Sequence, residues 1–230
     1  MIVLALISAT LASFFWGGYP TLKPVMFLTG LVIISVICLF ASLHMETRSL
    51  VALSVVTMVL ALVDEYAHTS SGAFRYFDGM TPSPLSVFGW SIIVLGIIAL
   101  ARFLYRRVPL VGLDGSALRS LLVLMPSLLL FVSAWAQGYL CFFDALLIFV
   151  YLFHFSVSLY YSYLHRFGWS MWVVTISLIV SALMEYLGGV EGMWVYQFNE
   201  PMATFIVFTW TLRVLSILGV CSLLGVEIQE

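Results

Sequence analysis

The feature that most constrains this chain is a series of apolar runs, each close to the length of a membrane-crossing helix, separated by short polar turns. A helix needs about 20 apolar residues to cross a bilayer. Only 9% of the 230 residues are charged, against about 25% in soluble domains. The sequence therefore predicts an all-α polytopic membrane helix bundle. Its eight candidate transmembrane spans are Ile2–Tyr19, Pro24–Leu43, Leu50–Tyr66, Leu85–Tyr105, Ala117–Tyr139, Phe142–Leu164, Met171–Leu187 and Met202–Leu224.

Two details of this count leave alternatives. Spans five and six are separated only by Leu140–Cys141, so a seven-span bundle is the alternative. Span one resembles a signal peptide in its Ala and Ser content, but it has no basic region before it, and we expect it to be retained. The net charge of −2 gives no basic surface for nucleic acid. The partner that the composition predicts is the lipid bilayer.

The distribution of basic residues predicts the orientation. Loops on the cytoplasmic side of a membrane protein carry the excess of Lys and Arg. With alternating crossings, most arginines fall on one side, and Lys23 and Arg75 fall on the other. We therefore expect a multi-pass protein of the cell membrane with both termini in the cytoplasm. The arginines on the predicted cytoplasmic side are Arg48, Arg102, Arg106, Arg107, Arg119 and Arg166.

The sequence contains an internal repeat with an offset of 120 positions. The matched residues are Glu, Gly, Trp and Tyr, which apolar composition alone does not force to recur. Four crossings return the chain to its starting side, so the repeat predicts two halves in parallel orientation. We expect residues 1–107 and 117–226 to form two four-helix halves, joined by residues 108–116. The matches are Glu65-Tyr66, Gly72, Phe74, Tyr76 and Trp90 with Glu185-Tyr186, Gly192, Trp194, Tyr196 and Trp210.

The repeat places two acids near the predicted extracytoplasmic ends of spans three and seven. Insertion of a carboxylate into hydrocarbon costs about 2.5–3.5 kcal/mol, so Glu65 and Glu185 are candidate catalytic acids. Aromatic residues at the same end are candidates for a substrate-binding wall, with a belt at the membrane interface as the alternative. For the glutamates, bonding to backbone amides or to an Arg is the alternative. The aromatic candidates are Phe74, Tyr76, Trp194, Tyr196, Trp135, Tyr139, Trp16 and Tyr19.

Two polar residues break the repeat near the middle of their spans. His154 is a candidate catalytic residue, and Arg213, which matches Ile93, is a candidate substrate-binding residue. We expect Arg213 to reach toward Glu185 or Asp144, with a purely structural ion pair as the alternative. Because both residues lie in the second half, we expect that half to supply the functional polar groups of the site and the first half to supply only a wall of it. No zinc spacing, nucleotide fingerprint or serine-nucleophile motif appears, so no metal or other cofactor is assigned.

These residues fit an enzyme that performs acid–base chemistry, hydration or cyclisation, on an apolar isoprenoid-like lipid. A carboxylic acid in an apolar site can protonate an alkene, and aromatic faces stabilise the resulting cation. The stretch from Glu185 through Gly188 and Gly192 to Tyr196 resembles the Glu-Tyr-x-Gly-x3-Gly…Tyr stretch of the carotenoid-hydratase group of integral membrane proteins. The resemblance spans about a dozen residues. It implies carotenoid-like substrates and carries these four positions into the site.

Two further functions remain open on the sequence. Repeated halves with Arg and His at mid-membrane suit a small cation- or proton-coupled transporter, in which Arg213, His154 and Glu185 line a polar tunnel. A non-catalytic subunit of a larger membrane complex would instead present these residues on an exposed flank to a protein partner. The enzyme hypothesis predicts an apolar or amphiphilic small molecule as ligand, with a glutamate at the end of a lipid-width pocket.

Overall fold

The described part of the chain is a bundle of long helices with one small two-stranded sheet. The computed structural model describes residues 36–37, 40–41, 45–76, 79–108, 110, 115–190, 192–198, 202–226 and 228. Residues 36–37 and 40–41 are helical. The longer elements, in chain order, are α1 (Thr47–Ser70), β1 (Phe74–Tyr76), α2 (Pro84–Arg107), α3 (Ser116–Ala136), α4 (Ala145–Leu164), α5 (Phe167–Val190), β2 (Trp194–Tyr196) and α6 (Thr204–Leu223).

All six of these helices are long and apolar enough to cross a membrane. Each has 20–24 residues, which is about 30–36 Å at about 1.5 Å per residue. Their most apolar windows have mean hydropathies of 1.6 to 2.2. The membrane assignment is therefore supported for candidate spans three to eight. Candidate spans one and two fall outside the described residues, apart from the short helical pieces already given.

Helix α6 is the centre of the described bundle. Its spanning window is 78% buried, whereas the other five helices have 33–50% of theirs buried. It packs against α3, α4 and α5 and also contacts α1, while α2 packs on α1 and α5. A Cβ at Gly219 would lie 2.6 Å from the Val157 side chain, so glycine allows α4 and α6 to approach closely. A residue on α6 can thus meet side chains from both halves of the chain.

Helices α3 and α4 are separate. Helix α3 ends at Ala136, a single 3₁₀ turn covers Tyr139–Phe142, and α4 begins at Ala145. The Asp144 carboxylate accepts a hydrogen bond from the Leu147 backbone N–H at 2.7 Å and so caps the first turn of α4. These two helices are therefore not merged into one span, which was the basis of the seven-span alternative.

The two strands connect distant parts of the chain. Each follows a turn in which a glycine adopts a positive φ, 83° at Gly72 and 71° at Gly192, a conformation that other residues rarely adopt. The strands then pair antiparallel, with Arg75 opposite Val195 at the centre of the register. These two residues are 120 positions apart, so the pairing relates equivalent positions of the predicted repeat.

Candidate functional site

A buried glutamate at the end of α1 anchors the first part of the site. Glu65 is 4% exposed. Its Oε2 accepts a hydrogen bond from the Tyr76 hydroxyl of β1, and its Oε1 accepts one from Trp90 Nε1 of α2 at 2.7 Å. One carboxylate therefore ties together a helix, the strand that follows it and the next helix.

A second glutamate repeats this arrangement. Glu185 on α5 is 6% exposed. Its Oε2 accepts from the Tyr196 hydroxyl, and its Oε1 accepts from Trp210 Nε1 at 2.6 Å. The two indole rings meet, since the centroids of Trp90 and Trp210 are 4.0 Å apart. The same donor types, 11 and 25 positions after each glutamate, thus converge from both halves of the chain.

The tyrosine hydroxyls in this arrangement are held as donors. Burial and the neighbouring Glu65 carboxylate raise the pKa of Tyr76 well above its usual value. Burial likewise raises the pKa of Tyr196 above its usual value. Each phenol therefore keeps its proton over the physiological pH range and can donate it in a hydrogen bond to its glutamate.

Aromatic packing fixes the two tyrosines. Trp194 Nε1 donates to the Tyr196 hydroxyl oxygen at 3.0 Å, and the Trp194 indole lies against the backbone of α5 at Gly188, where any Cβ would overlap the ring. Phe74 packs edge-on against Tyr76, with ring centroids 5.4 Å apart. The predicted aromatic residues of the two strands therefore do lie together, beside both glutamates.

Arg213 joins the two halves through charge. It is 2% exposed, and its Nη1 donates to Glu65 Oε1 at 3.1 Å. Its Nε lies 2.5 Å from Asp64 Oδ2, an ion pair that lacks the alignment of a hydrogen bond. Its guanidinium carbon lies 4.0 Å from the centroid of the Trp90 ring, a cation–π contact. This buried cation of α6 is thus neutralised by two acids of α1.

The expected partners of Arg213 are therefore wrong. Its ion pairs are with Asp64 and Glu65, not with Glu185 or Asp144, because α6 crosses beside α1 and Asp144 caps α4. The expectation that the first half supplies only a wall is also wrong, because α1 contributes both of these carboxylates.

His154 extends the network from α4. Its Nε2 lies 2.7 Å from Asp64 Oδ1, and its Nδ1 is hydrogen-bonded to the Ser216 hydroxyl. That hydroxyl lies 3.0 Å from the Arg213 carbonyl oxygen, to which it can donate. Asp64 is thus contacted by a cation on one oxygen and by an imidazole on the other.

Three polar residues of this network were not predicted as site residues. Asp64 and His68 lie four positions apart on one face of α1, and His68 Nδ1 is 2.7 Å from the Asp64 carbonyl oxygen. His68 Nε2 is also 2.9 Å from the Tyr151 hydroxyl. The sequence did carry a signal for Asp64 and His68, because both break the internal repeat. The equivalent positions in the second half are Met184 and Gly188. Ser216 carried no comparable signal.

The remaining predicted aromatic residues are not all at the site. Tyr139 is fully buried and packs on Phe205, with ring centroids 4.8 Å apart. Trp135 is 71% exposed at the end of α3, where it matches the interface-belt alternative better than a wall of the site. Trp16 and Tyr19 lie outside the described residues.

The arrangement is suited to holding and moving protons. It brings two glutamates, an aspartate, two histidines and an arginine into one buried, largely apolar region. Within the described part of the chain, no group of three His, Cys, Asp or Glu side chains is arranged to hold a metal ion. Arg213, His154 and Glu185 face the interior of the bundle, not an exposed flank of the kind that the subunit hypothesis required.

Comparisons with protein-family models, with curated proteins and with solved structures find no match to this chain.

Proposed function

We propose that the protein is an integral membrane enzyme that performs acid–base chemistry, hydration or cyclisation, on an isoprenoid-like lipid. The observation that carries the proposal is the pair of buried glutamates, each held by one Tyr and one Trp. Burial of two such carboxyl groups at matching positions in an apolar bundle is costly. A pair of carboxyl groups can supply the proton donor and the proton acceptor that both reactions need.

The surrounding residues support this chemistry. Protonation of an alkene generates a carbocation, which the faces of Tyr and Trp rings stabilise. The resemblance of Glu185, Gly188, Gly192 and Tyr196 to the carotenoid-hydratase group points to a long polyene as substrate. Two of these residues have structural roles that fit the resemblance. Gly188 leaves space for the Trp194 ring, and Trp194 in turn positions Tyr196 through a hydrogen bond to its hydroxyl.

The test is substitution of the acid together with identification of the bound lipid. We expect native mass spectrometry of the purified protein to detect a co-purified isoprenoid lipid or pigment. We expect Glu185→Gln to abolish its conversion while membrane insertion stays normal. The matched control is Glu46→Gln, the same change at an exposed glutamate before α1. Normal conversion by Glu185→Gln would remove this acid from the mechanism.

The proposal includes a finer architecture. We propose eight spans arranged as a parallel 4+4 repeat of residues 1–107 and 117–226, in the cell membrane with both termini in the cytoplasm. Two observations support the repeat: the β1–β2 register is centred on Arg75 and Val195, and Trp90 contacts its counterpart Trp210. Both pairs are 120 positions apart, as a twofold axis through the sheet and the indole pair requires.

A proton-coupled transporter is the second candidate. The observation that favours it is the hydrogen-bonded line from Ser216 through His154 to Asp64, which links α6, α4 and α1 inside the bundle. Such lines of titratable groups mark proton paths in pumps and transporters. Proteoliposomes separate the two functions: a transporter acidifies or alkalises the lumen and loses this with Asp64→Asn, whereas the enzyme converts lipid without moving protons across the membrane.

A further inference from the structure

The two glutamates have the same neutral donors but different charged neighbours. Each accepts one hydrogen bond from a Tyr hydroxyl and one from a Trp indole. Glu65 also contacts the Arg213 guanidinium at 3.1 Å. Glu185 has no ion pair with a described residue. The equivalence of the two acids, which the repeat creates, is therefore broken by one cation.

Charge balance among the buried groups extends this difference. The Ser216 hydroxyl can donate only one hydrogen bond, and the Arg213 carbonyl 3.0 Å away accepts it. In the arrangement in which Ser216 accepts from His154 Nδ1 and Asp64 accepts from Nε2, both ring nitrogens donate and His154 is a cation. Two cations, Arg213 and His154, then balance two carboxylates, those of Asp64 and Glu65. Among the described residues, no cation of this network remains for Glu185.

We infer that the two glutamates have different roles: Glu65 is the resident carboxylate that accepts a proton, Glu185 is the acid that donates one, and Arg213 is the positioning residue that separates them. The assignment of catalytic roles rests on the proposed function. The assignment of protonation states rests on contacts and charge balance alone. A buried ionised carboxylate without a cation costs more than a neutral carboxyl group, which keeps the hydrogen bonds that its oxygens accept.

The roles give a balanced reaction on an alkene. The O–H bond of Glu185 breaks, a C–H bond forms on the substrate, and a carbocation remains on the neighbouring carbon. In hydration, the oxygen of a water co-substrate bonds to that carbon and the water loses one proton to Glu65. In cyclisation, the π electrons of a second C=C bond of the substrate form the ring C–C bond with that carbon and the cation moves to the far carbon of this double bond. A neighbouring carbon then loses a proton to Glu65, and its C–H electrons form a new C=C bond. One proton leaves Glu185 and one arrives at Glu65, so transfer of a proton from Glu65 to Glu185 restores the starting state.

The test is infrared spectroscopy of the purified full-length protein at neutral pH without added substrate. A protonated carboxyl group has a C=O stretching band that an ionised carboxylate lacks, and the band shifts in deuterium oxide. We expect one such band in the wild type, lost in Glu185→Gln and retained in Glu65→Gln and in the control Glu46→Gln. Loss of the band in Glu65→Gln, or its retention in Glu185→Gln, would overturn the assignment.

The role of Arg213 has its own spectroscopic test. Arg213→Gln alone leaves two buried carboxylates, Asp64 and Glu65, with one cation, His154, and endangers folding. The double variant Asp64→Asn/Arg213→Gln removes the cation that contacts Glu65 and the carboxylate that contacts His154, so a proton passes from His154 to Glu65 and both groups become neutral. We expect it to show a second protonated carboxyl band, which disappears when Glu65→Gln is added. A double variant with the single wild-type band overturns the positioning role, because Glu65 then stays ionised without Arg213.

The infrared spectra and the lipid assay test different claims. A protein that shows the expected bands but neither carries nor converts an isoprenoid lipid contradicts the proposed function and leaves the protonation states in place. A protein that converts lipid but has its protonated carboxyl group at Glu65 contradicts the division of roles and leaves the proposed function in place.

Discussion

At the residue scale, the paired tyrosines connect stability with pH. An unfolded Tyr ionises near pH 10, whereas burial and the Glu65 carboxylate raise the pKa of Tyr76 in the folded protein. The unfolded chain therefore releases this proton first, and the contribution of Tyr76 to stability, complete below about pH 10, is lost as the pH rises further. We expect Tyr76→Phe to lower the free energy of unfolding by about 1–3 kcal/mol at pH 7, because Glu65 loses a donor.

The same variant should lose stability less steeply than the wild type above pH 10, since it lacks this ionisation. Unfolding in detergent, followed from pH 7 to pH 11, gives both quantities. Tyr160→Phe, at a residue that is 41% exposed, controls for the loss of a phenol as such. Identical alkaline slopes for the wild type and Tyr76→Phe would show that the Tyr76 phenol ionises alike in both states.

The sequence identified some site residues because the repeat marks them twice. Glu65, Glu185 and their Tyr and Trp partners recur at one offset, so they could be predicted without coordinates. Asp64 is marked only by its difference from its counterpart Met184, which does not reveal its partners, and these lie 90 and 149 positions away on α4 and α6. Only the packing of three helices brings these charges together, and no local pattern encodes that packing.

At the scale of elements, the contact between β2 and the last turn of α5 depends on one glycine. A Cβ at Gly188 would overlap the Trp194 indole. We expect Gly188→Ala to displace this ring and lower the free energy of unfolding by about 1–3 kcal/mol, the usual cost of overpacking. The displacement also weakens the hydrogen bond from Trp194 to Tyr196. Thermal unfolding and tryptophan fluorescence measure the two effects.

The matched control for this glycine changes stability in the opposite direction. A Cβ at Gly89, on α2, meets nothing within 4 Å. Gly89→Ala should therefore stabilise its helix by about 0.5–1 kcal/mol, because alanine loses less backbone entropy than glycine. If Gly188→Ala were as stabilising as Gly89→Ala, the indole would not lie against α5 as described.

Helices were more predictable than strands for a physical reason. An apolar run is a local property, so all six described helices correspond to predicted spans. Their ends were less predictable: α1 continues past Tyr66 to Ser70, through the polar residues His68 and Thr69. The strands have three residues each, and the partner of each strand lies 120 positions away. Their sequence therefore predicted only a loop.

At the scale of the whole molecule, the two predicted halves share one site. The β1–β2 pairing, the tilted ring contact of Trp90 with Trp210 and the ion pair of Arg213 with Glu65 all cross between them. The first contact joins the two strands, and the other two join spanning helices. Residues that follow the repeat hold the two glutamates, and residues that break it give them different charges.

The orientation of the molecule can be read from one exposed cysteine. Cys141 lies in the 3₁₀ turn between α3 and α4 and is exposed, whereas Cys221 is buried. The predicted orientation places this turn outside the cytoplasm. In a Cys38→Ser/Cys221→Ser background, a membrane-impermeant maleimide should therefore label Cys141 in intact cells. Glu46→Cys, at the other end of α1, should be labelled in a Cys-free background only after the cells are permeabilised. The reverse labelling pattern would show that the orientation is the opposite of the predicted one. The buried glutamates would then lie near the cytoplasmic face, and any substrate would have to reach them from the inner leaflet.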